Sequence, residues 1–288
     1  MPRRHSALLV SACLFAACVP PSVRRPVRPP PAAPAVVLGP NIAGPWVLGT
    51  TSALQRVTIS TRAVVSITDA ASAHTDTLQA ALAARYVWSS RAHRRLDGTL
   101  EDYRVGVGGA PTVVPAGLQL VRAFTAEASA QGGPLSFRVP IESTACTEPT
   151  LSALQGLHDA WIPVPDTLAV GREWTDTVQT LSCRDRIPLH GTAVRRFRVV
   201  RATTEDSARV VVLIDRISRG RMAGDGEQFG ERVSLTGETS GTMRYMVDPA
   251  TGRLLRAAGT ASLALSLKSS RRNQQVKQES AVTISWPP

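Results

Sequence analysis

The sequence predicts a mostly β protein, with a long curved antiparallel sheet, or two similar sheets, and one central helix packed on it. Three observations support this fold class. From Leu54 onward, apolar and polar side chains alternate with a period of two, which is typical of half-buried strands. Gly- and Pro-containing turns separate the alternating stretches. One segment between them has apolar residues at helical spacing instead.

The first half of the chain contains two strong strand patterns. Their apolar faces are formed by Val57, Ile59, Thr61, Ala63, Val65 and Ile67, and by Leu78, Ala80, Leu82, Ala84, Tyr86 and Trp88. The second stretch could also be a helix beginning at Asp76, but Tyr86 and Trp88 at even spacing favour a strand. Shorter strands are predicted at 100–107, 117–127 and 134–140.

The second half of the chain predicts a further series of strands. They run at 173–183, 191–203, 207–218, 231–247, 253–267 and 275–286. Residues 248–252 (Asp-Pro-Ala-Thr-Gly) predict a tight turn, because Pro presets φ and Gly supplies positive φ. Gly224-Asp225-Gly226 is predicted to be a hairpin turn as well. An antiparallel sheet of this kind keeps one face wet, and we expect the arginines there.

The central helix is predicted between the two sets of strands. Thr147 can cap it, and Pro149 lies in its first turn. Its apolar side consists of Leu151, Leu154, Leu157 and Trp161, and Pro163 and Pro165 end it. We expect that side to pack on the sheet.

The N-terminus has the three parts of an export signal. Arg3 and Arg4 form the positively charged start. Residues 7–17 are an apolar run too short to span a bilayer, which needs about 20 residues. The run ends in Phe15-Ala16-Ala17-Cys18, which resembles the lipobox of bacterial lipoproteins. An ordinary cleaved signal or an uncleaved anchor is the alternative.

The lipobox resemblance implies cleavage before Cys18 and diacylglycerol on its thiol. Phe15 stands where lipoboxes usually have Leu, which is a departure from the pattern. Val19 rather than Asp follows the cysteine. By resemblance to enterobacterial sorting, this implies a lipid-anchored protein of the cell envelope, in the outer membrane and facing the periplasm.

The chain is predicted to have three regions. They are a signal peptide at 1–17, the lipidated cysteine with a Pro- and Arg-rich linker at 18–44, and a β-rich domain at 45–288. The alternative is that the domain consists of two similar halves, 45–145 and 146–288. Eight of the 21 prolines lie within 19–40, so this stretch cannot bury a core and should be extended. We expect it to hold the domain away from the membrane.

Two cysteines remain for the folded part, since Cys13 leaves with the signal and Cys18 is acylated. They are Cys146 and Cys183. In a compartment that permits disulfides, one even pair predicts a bridge. The alternative is a zinc pair, for which no His or Cys lies nearby at metal spacing.

The net charge of +11 comes almost entirely from arginine, since lysine occurs only at Lys268 and Lys277. Together with the many Ala, Pro and Gly residues, this is typical of a GC-rich genome. Export argues against nucleic acid as a partner, and the few aromatic residues do not alternate with arginine as in stacking surfaces. Anionic envelope partners, such as lipopolysaccharide or phospholipid head groups, stay compatible with the charge.

Arginines crowd two consecutive predicted strands. One carries Arg195, Arg196, Arg198 and Arg201, and the end of the next carries Arg216, Arg219 and Arg221. Across an antiparallel pair they could form one basic surface that grips anions, with Arg196, Arg198, Arg216 and Arg219 as the candidate binding residues. We expect Arg196 and Arg198 to face solvent, because Phe197 between them should point inward. The alternative is an ordinary solvated face.

No catalytic or metal-binding motif is found in the sequence. The histidines are not paired as in zinc motifs. His158-Asp159 suggests an acid/base pair, but neighbours on a helix point to different faces, so a solvated or capping role is favoured. Ser240 lies mid-strand and misses the nucleophile-elbow pattern by one residue. The sequence therefore predicts no enzymatic activity, no cofactor and no metal.

Residues 161–174, from Trp161-Ile162-Pro163 to Glu173-Trp174, resemble a segment common in bacterial lipoproteins of unknown function. A curved antiparallel sheet with a helix on its concave face is also similar to the Lol lipoprotein carriers and related lipid-binding lipoproteins. This resemblance implies a non-enzymatic envelope protein that binds a hydrophobic or lipid ligand. The alternative is a structural protein that docks an envelope partner through its basic face or a strand edge.

Overall fold

A computed structural model describes residues 40–49, 53–70, 72–90, 95–110, 113–114, 123–128, 135–138, 146, 153–154, 156–184, 187–205, 209–228 and 230–287. The predicted signal peptide, Cys18 and most of the linker lie outside the described residues. The strands are β1 (Trp46–Val47), β2 (Gln55–Thr68), β3 (Ala73–Ser90), β4 (Arg95–Val107), β5 (Ala123–Ala128), β6 (Leu135–Arg138), β7 (Thr167–Leu168), β8 (Glu173–Arg184), β9 (Ile187–Glu205), β10 (Arg209–Gln228), β11 (Glu231–Asp248), β12 (Arg253–Lys268) and β13 (Asn273–Ser285). A short 3-10 helix, η1, spans Gly156–Asp159.

Eleven of these strands form one antiparallel sheet, in the order β6-β5-β4-β3-β2-β13-β12-β11-β10-β9-β8. Strands that are consecutive in the chain are neighbours, and the pairing of β2 with β13 joins the strands of 45–145 to those of 146–288. β1 and β7 form a separate two-stranded sheet. The predicted mostly β, antiparallel fold is confirmed, and so is the strand rather than the helix at β3.

The chain crosses from one edge of the large sheet to the other between β6 and β8. Residues 156–168, which we call the crossing segment, belong to this connection. Trp161 of the segment contacts Phe124 on β5, with ring centroids 6.4 Å apart. Two residues earlier, the carbonyl of Asp159 accepts a hydrogen bond from Tyr245 on β11 at 2.8 Å. In a flat sheet β5 and β11 would lie roughly 29 Å apart at about 4.8 Å per strand, so the sheet curves around the segment.

The predicted central helix is not supported. In the described part of that stretch, Ala153 and Leu154 have helical backbone and η1 adds one 3-10 turn. Leu157 and Trp161 are buried against the sheet, as expected of the apolar side. The sequence pattern requires only that apolar residues three or four apart lie on the same side of the chain. A 3-10 turn followed by extended chain meets that requirement as well as an α-helix does.

The predicted hairpin turn at Gly224-Asp225-Gly226 is wrong, because these residues lie inside β10. A Cβ atom on Gly224 would lie 2.1 Å from the carbonyl oxygen of Pro188, and one on Gly226 would lie 2.9 Å from Ile187 Cγ1. The two glycines therefore allow β9 to approach β10 closely. The chain turns instead at Gly230, where φ is +76°. The turn predicted at 248–252 is confirmed between β11 and β12, with Gly252 at a φ of +65°.

The concave face carries two apolar clusters. The first, which we call the anchor cluster, surrounds the crossing segment and includes Leu157, Trp161, Phe197, Ile214 and Tyr245. The second, the distal cluster, lies toward the other end of the strands and consists of Val65, Ile187, Leu189, Val233, Leu235, Leu265, Leu267 and Val276. Each fully buried aliphatic side chain contributes about 1.5–3 kcal/mol to folding. Between the clusters the same face carries small side chains.

Cys146 and Cys183 form a disulfide, as predicted, with their Cα atoms 5.2 Å apart. The bridge ties the chain ahead of the crossing segment to the end of β8 and closes a loop with a sequence separation of 37. In the chain-entropy model a loop of this length stabilises the fold by about 4 kcal/mol. The covalent link thus holds the connection at the β8 edge of the sheet.

Candidate functional site

A groove of about 240 Å³ crosses the concave face between the anchor and distal clusters. Six neighbouring strands, β8 to β13, contribute to it, together with η1. Its lining residues include Val178, Thr180, Ala193, Ser218, Thr239, Ala261, Leu263, Gln278 and Ser280. Most of these side chains are short. The groove exists because the two flanking clusters use large side chains and this band does not.

Strand register puts the floor of the groove in one row. Arg195 pairs with Ser218, Ser218 with Gly241, Gly241 with Ala261, and Ala261 with Ser280. Because side chains in a strand point to alternate faces, residues that pair directly across the sheet share a face. The row therefore runs across the concave face, with an arginine at one end and only small residues after it.

The wall of the groove next to the crossing segment is an ionic cluster. Arg195 is 3 % exposed, and it makes two hydrogen bonds to Asp176 on β8, at 2.8 and 2.5 Å. Its remaining Nη1 donates to the carbonyl of His158 at 2.9 Å. The guanidinium carbon also lies 5.5 Å from the ring centroid of Phe197. Arg195 is thus held on all three nitrogens and joins β8, β9 and the crossing segment.

Arg216 on β10 is held less completely. It is 2 % exposed, and its Nη1 donates to Asp159 Oδ1 and, at 3.1 Å, to the hydroxyl of Tyr245. Its Nε is buried and has no hydrogen-bond partner. Asp159 itself is 38 % exposed. The second guanidinium of the cluster therefore keeps an unused donor, and its carboxylate partner lies at the edge of solvent.

The two arginines alter the titration of the groups around them. Burial alone would raise the pKa of Asp159, but the charge and hydrogen bond of Arg216 together with Arg195 and His158 outweigh it, so the pKa of Asp159 lies below its usual value. Burial would lower the pKa of Arg216, but the charge and hydrogen bond of Asp159 together with Tyr245 and Asp176 outweigh it, so the pKa of Arg216 is raised. Burial raises the pKa of Tyr245, so its hydroxyl stays protonated and can donate. Asp159 and Arg216 are therefore both ionised at neutral pH.

Acid should weaken the contact between the crossing segment and the sheet. Burial, together with Arg195, lowers the pKa of His158 from 6.5 to about 4. As the pH falls from 6.5 to about 4, His158 binds a proton in the unfolded chain but stays neutral in the folded chain. The free energy of unfolding therefore falls, by up to about 3 kcal/mol at about 1.4 kcal/mol per pKa unit. We expect His158→Gln to remove this part of the pH dependence, measured by denaturant unfolding at neutral and acidic pH.

His190→Gln is the matched control for this prediction, because His190 is exposed on β9. The control should keep the full loss of stability in acid. An equal loss in both variants would show that His158 does not carry the effect.

The opposite wall of the groove is mainly apolar, with Gln278 beside Leu263 as a polar exception. Leu263 packs against the distal cluster, and Val178 is buried at the β8 end. The groove thus has an ionic wall, an apolar wall and a floor of small residues with hydroxyl groups. Such an arrangement suits an amphipathic ligand better than a wholly apolar or a wholly polar one.

The structure places the predicted anion-binding residues on two faces. Arg216 lies on the concave face, buried in the ionic cluster. Arg196, Arg198 and Arg219 are exposed on the convex face. Phe197 is buried, so the expected orientation of its two neighbours is the observed one. The arginines of β9 and β10 therefore form two separate groups, one of them inside the groove.

Sequence reasoning missed the carboxylates of the ionic cluster. Asp176 was not singled out, and His158-Asp159 was given a solvated or capping role. One signal was present in the sequence. Asp176 lies two residues from Trp174 and two from Val178, so it shares the inward face of β8 with these apolar residues. An inward carboxylate needs a buried cation, and that cation, Arg195, becomes identifiable only once β8 is known to pair with β9.

Among the described residues, no group of three or more His, Cys, Asp or Glu could hold a metal ion. In the same part of the chain, no helix is long and apolar enough to cross a membrane.

No protein-family model matches the chain, and no curated protein sequence matches it. Neisserial surface protein A (NspA) is 8 % identical, with a TM-score of 0.20, over 80 % of this chain and 96 % of that one. OccK8 (OprE) of Pseudomonas aeruginosa is 7 % identical, with a TM-score of 0.21, over 83 % of this chain and 100 % of that one. Likenesses this distant carry no argument about the fold or the function of this chain.

Proposed function

We propose that this chain is a non-enzymatic, lipid-anchored protein of the cell envelope that binds a lipidic ligand in the groove of its concave face. The observation that carries the proposal is the groove itself. The anchor and distal clusters fill the concave face on either side of it, and the small residues between them leave it open across six strands.

The dimensions favour one narrow ligand. Six neighbouring strands span roughly 24 Å at about 4.8 Å per strand. The volume of about 240 Å³ is small for a site of that length, since compact ligand pockets measure about 300–1,000 Å³. A single acyl chain matches a long, shallow space of this kind, with its apolar part against Leu263 and its polar end at the ionic wall.

Two features support the proposed location. The lipobox-like sequence ending at Cys18 supports a lipid anchor, and acylation of this kind gives stable membrane attachment when more than one chain is present. The Cys146–Cys183 disulfide fits a compartment outside the cytoplasm. Val19 after the cysteine supports our proposal that the protein lies in the outer membrane and faces the periplasm.

Filling the groove should abolish ligand retention. Ala261 lies on the groove floor, and Ala261→Phe would occupy the space above it. We expect lipids that are extractable without cleaving covalent bonds to co-purify with the full chain, and to fall at least about tenfold in this variant, which corresponds to about 1.4 kcal/mol. Mass spectrometry of the extract measures both. Covalently attached acyl chains stay on Cys18 and do not enter the comparison.

Ala264→Phe is the matched control, because Ala264 is exposed on the same strand, β12, and faces the other side of the sheet. It should retain lipid at the level of the unchanged chain. If no lipid co-purifies, or if both variants retain it equally, the groove is not a lipid site.

One observation favours a second function, docking to an anionic envelope surface. On the convex face Val194 and Ile217 are 53 % and 55 % exposed. They lie directly across from Arg219 and Arg196, and neither arginine forms an ion pair with a described residue. Aliphatic side chains flanked by free cations are typical of surfaces that contact lipid head groups.

Docking of this kind should depend on salt, since exposed charges are screened over about 10 Å at 0.1 M. We expect Arg196→Ser with Arg198→Ser to weaken binding to anionic liposomes at low salt without a change in melting temperature. The chain used carries Cys18→Ser and lacks residues 1–17, so that no anchor contributes. Arg62→Ser with Lys277→Ser removes the same charge from exposed positions on β2 and β13 and should bind normally. Equal binding of both double variants would exclude this docking surface.

A further inference from the structure

The two buried guanidiniums of the groove wall differ in how they are neutralised. Asp176, the partner of Arg195, is 4 % exposed and uses both carboxylate oxygens. Asp159, the partner of Arg216, is 38 % exposed and uses one. Arg216 also keeps a buried Nε without a partner. Arg216 therefore has the less complete set of acceptors of the two guanidiniums.

We infer that Arg216 is the head-group site of the groove and takes the carboxylate of a single-chain amphiphile in exchange for Asp159. The inference rests on the proposed function and names the class of its ligand. A carboxylate has two oxygens, and a guanidinium offers parallel donors that match them. The incoming group would accept from Nη1 and Nη2 in parallel, whereas Asp159 accepts from Nη1 alone, through one of its oxygens.

The exchange keeps the charge of the cluster constant. One carboxylate leaves Arg216 and another replaces it, so no buried cation is left alone at the end of the process. Asp159 is already at the edge of solvent, and it lies at the end of η1, a single 3-10 turn, rather than on a strand of the sheet. Asp176, by contrast, is buried within β8 and stays in place.

The rest of the groove fits the remainder of such a ligand. Ser218 follows Arg216 on the concave face of β10, and the floor continues to Ala261. Beyond it, Leu263 presents an apolar surface that joins the distal cluster. A ligand with its carboxylate on Arg216 would therefore place its hydrocarbon chain along the small residues and against the apolar wall.

The test compares dodecanoate with dodecanol, which share a chain length and differ in charge, by calorimetric titration of the full chain below their aggregation concentrations. We expect dodecanoate to bind at least about tenfold more tightly. Asp159→Asn removes the competing carboxylate. It should raise the affinity for dodecanoate by about tenfold and leave that for dodecanol unchanged.

Two further variants complete the test. Arg216→Gln should abolish the preference for dodecanoate, and if that chain does not fold, the Asp159→Asn result decides alone. Arg221→Gln changes the same charge at an exposed site on β10 and should behave like the unchanged chain. Equal affinities for the two amphiphiles, or a weaker dodecanoate complex in Asp159→Asn, would overturn the head-group assignment while the proposed function stands. Binding of neither would overturn both. Tighter binding of dodecyl phosphate would overturn the carboxylate as the preferred anion.

Discussion

Asp176→Ala is expected to lower the free energy of unfolding by about 3–5 kcal/mol, because it leaves the charge of a buried arginine uncompensated. Arg195 and Asp176 are 3 % and 4 % exposed, and their side chains are joined by two hydrogen bonds. Water cannot replace the lost carboxylate at that depth. Equilibrium unfolding in guanidinium chloride, followed by circular dichroism, measures the change.

The convex face offers a pair with the same chemistry for comparison. Arg244 on β11 and Asp215 on β10 also form two hydrogen bonds, at 2.6 and 2.8 Å, but their side chains are 56 % and 35 % exposed. Solvent screens such a pair, so Asp215→Ala should cost about 1 kcal/mol or less. Equal costs for the two substitutions would contradict the assignment of Asp176 to a desolvated cluster.

Replacing both members of the buried pair separates the need for charge from the need for packing. Arg195→Met with Asp176→Leu fills the space with apolar side chains and leaves no lone charge. Such replacements are often neutral or stabilising. We expect the double variant to recover most of the stability that Asp176→Ala loses. A double variant as unstable as the single one would indicate that the hydrogen bond from Arg195 to the His158 carbonyl, and not the ion pair, holds the crossing segment.

The strands were predictable because alternation is a local signal. In β2 and β11 the face to which a side chain points can be predicted from the polarity of its immediate neighbours, independently of the rest of the fold. The end of β10 was misjudged for a nonlocal reason. Gly224 and Gly226 predict a turn in isolation, but in the fold they make room for Pro188 and Ile187 of β9. Only the pairing of the strands shows which role the glycines have.

The crossing segment and the ionic cluster were harder to predict, for the same reason. Leu157 and Trp161 were correctly placed on an apolar side, but their spacing does not distinguish an α-helix from a 3-10 turn followed by extended chain. The cluster combines residues of β8, β9, β10 and η1. Asp176 and Arg195 meet through the direct pairing of β8 with β9. Asp159 meets Arg216 only because η1 crosses the concave face of the curved sheet, which no local pattern indicates.

Trp161→Ala is expected to destabilise the fold by about 3–5 kcal/mol, as is usual when a large core aromatic is truncated. Its ring packs edge-on against Tyr86 on β3, with centroids 5.0 Å apart, and contacts Phe124 on β5. Denaturant unfolding measures the loss. Near-ultraviolet circular dichroism should show that the aromatic packing changes, and far-ultraviolet circular dichroism should show that the β signal stays.

Two control variants test whether the packing of Trp161 in particular, rather than the loss of any apolar side chain, stabilises the curved sheet. Trp161→Phe keeps an aromatic ring against Tyr86 and should cost clearly less than the alanine variant. Ile217→Ala removes an apolar side chain that is 55 % exposed on the convex face, and it should change the stability by no more than about 0.5 kcal/mol. If Trp161→Ala cost as little as Ile217→Ala, the crossing segment would not be what the sheet curves around. The groove depends on that curvature. Trp161 fixes the crossing segment against the β3–β5 end of the sheet, and Asp159, two residues earlier, lines the groove.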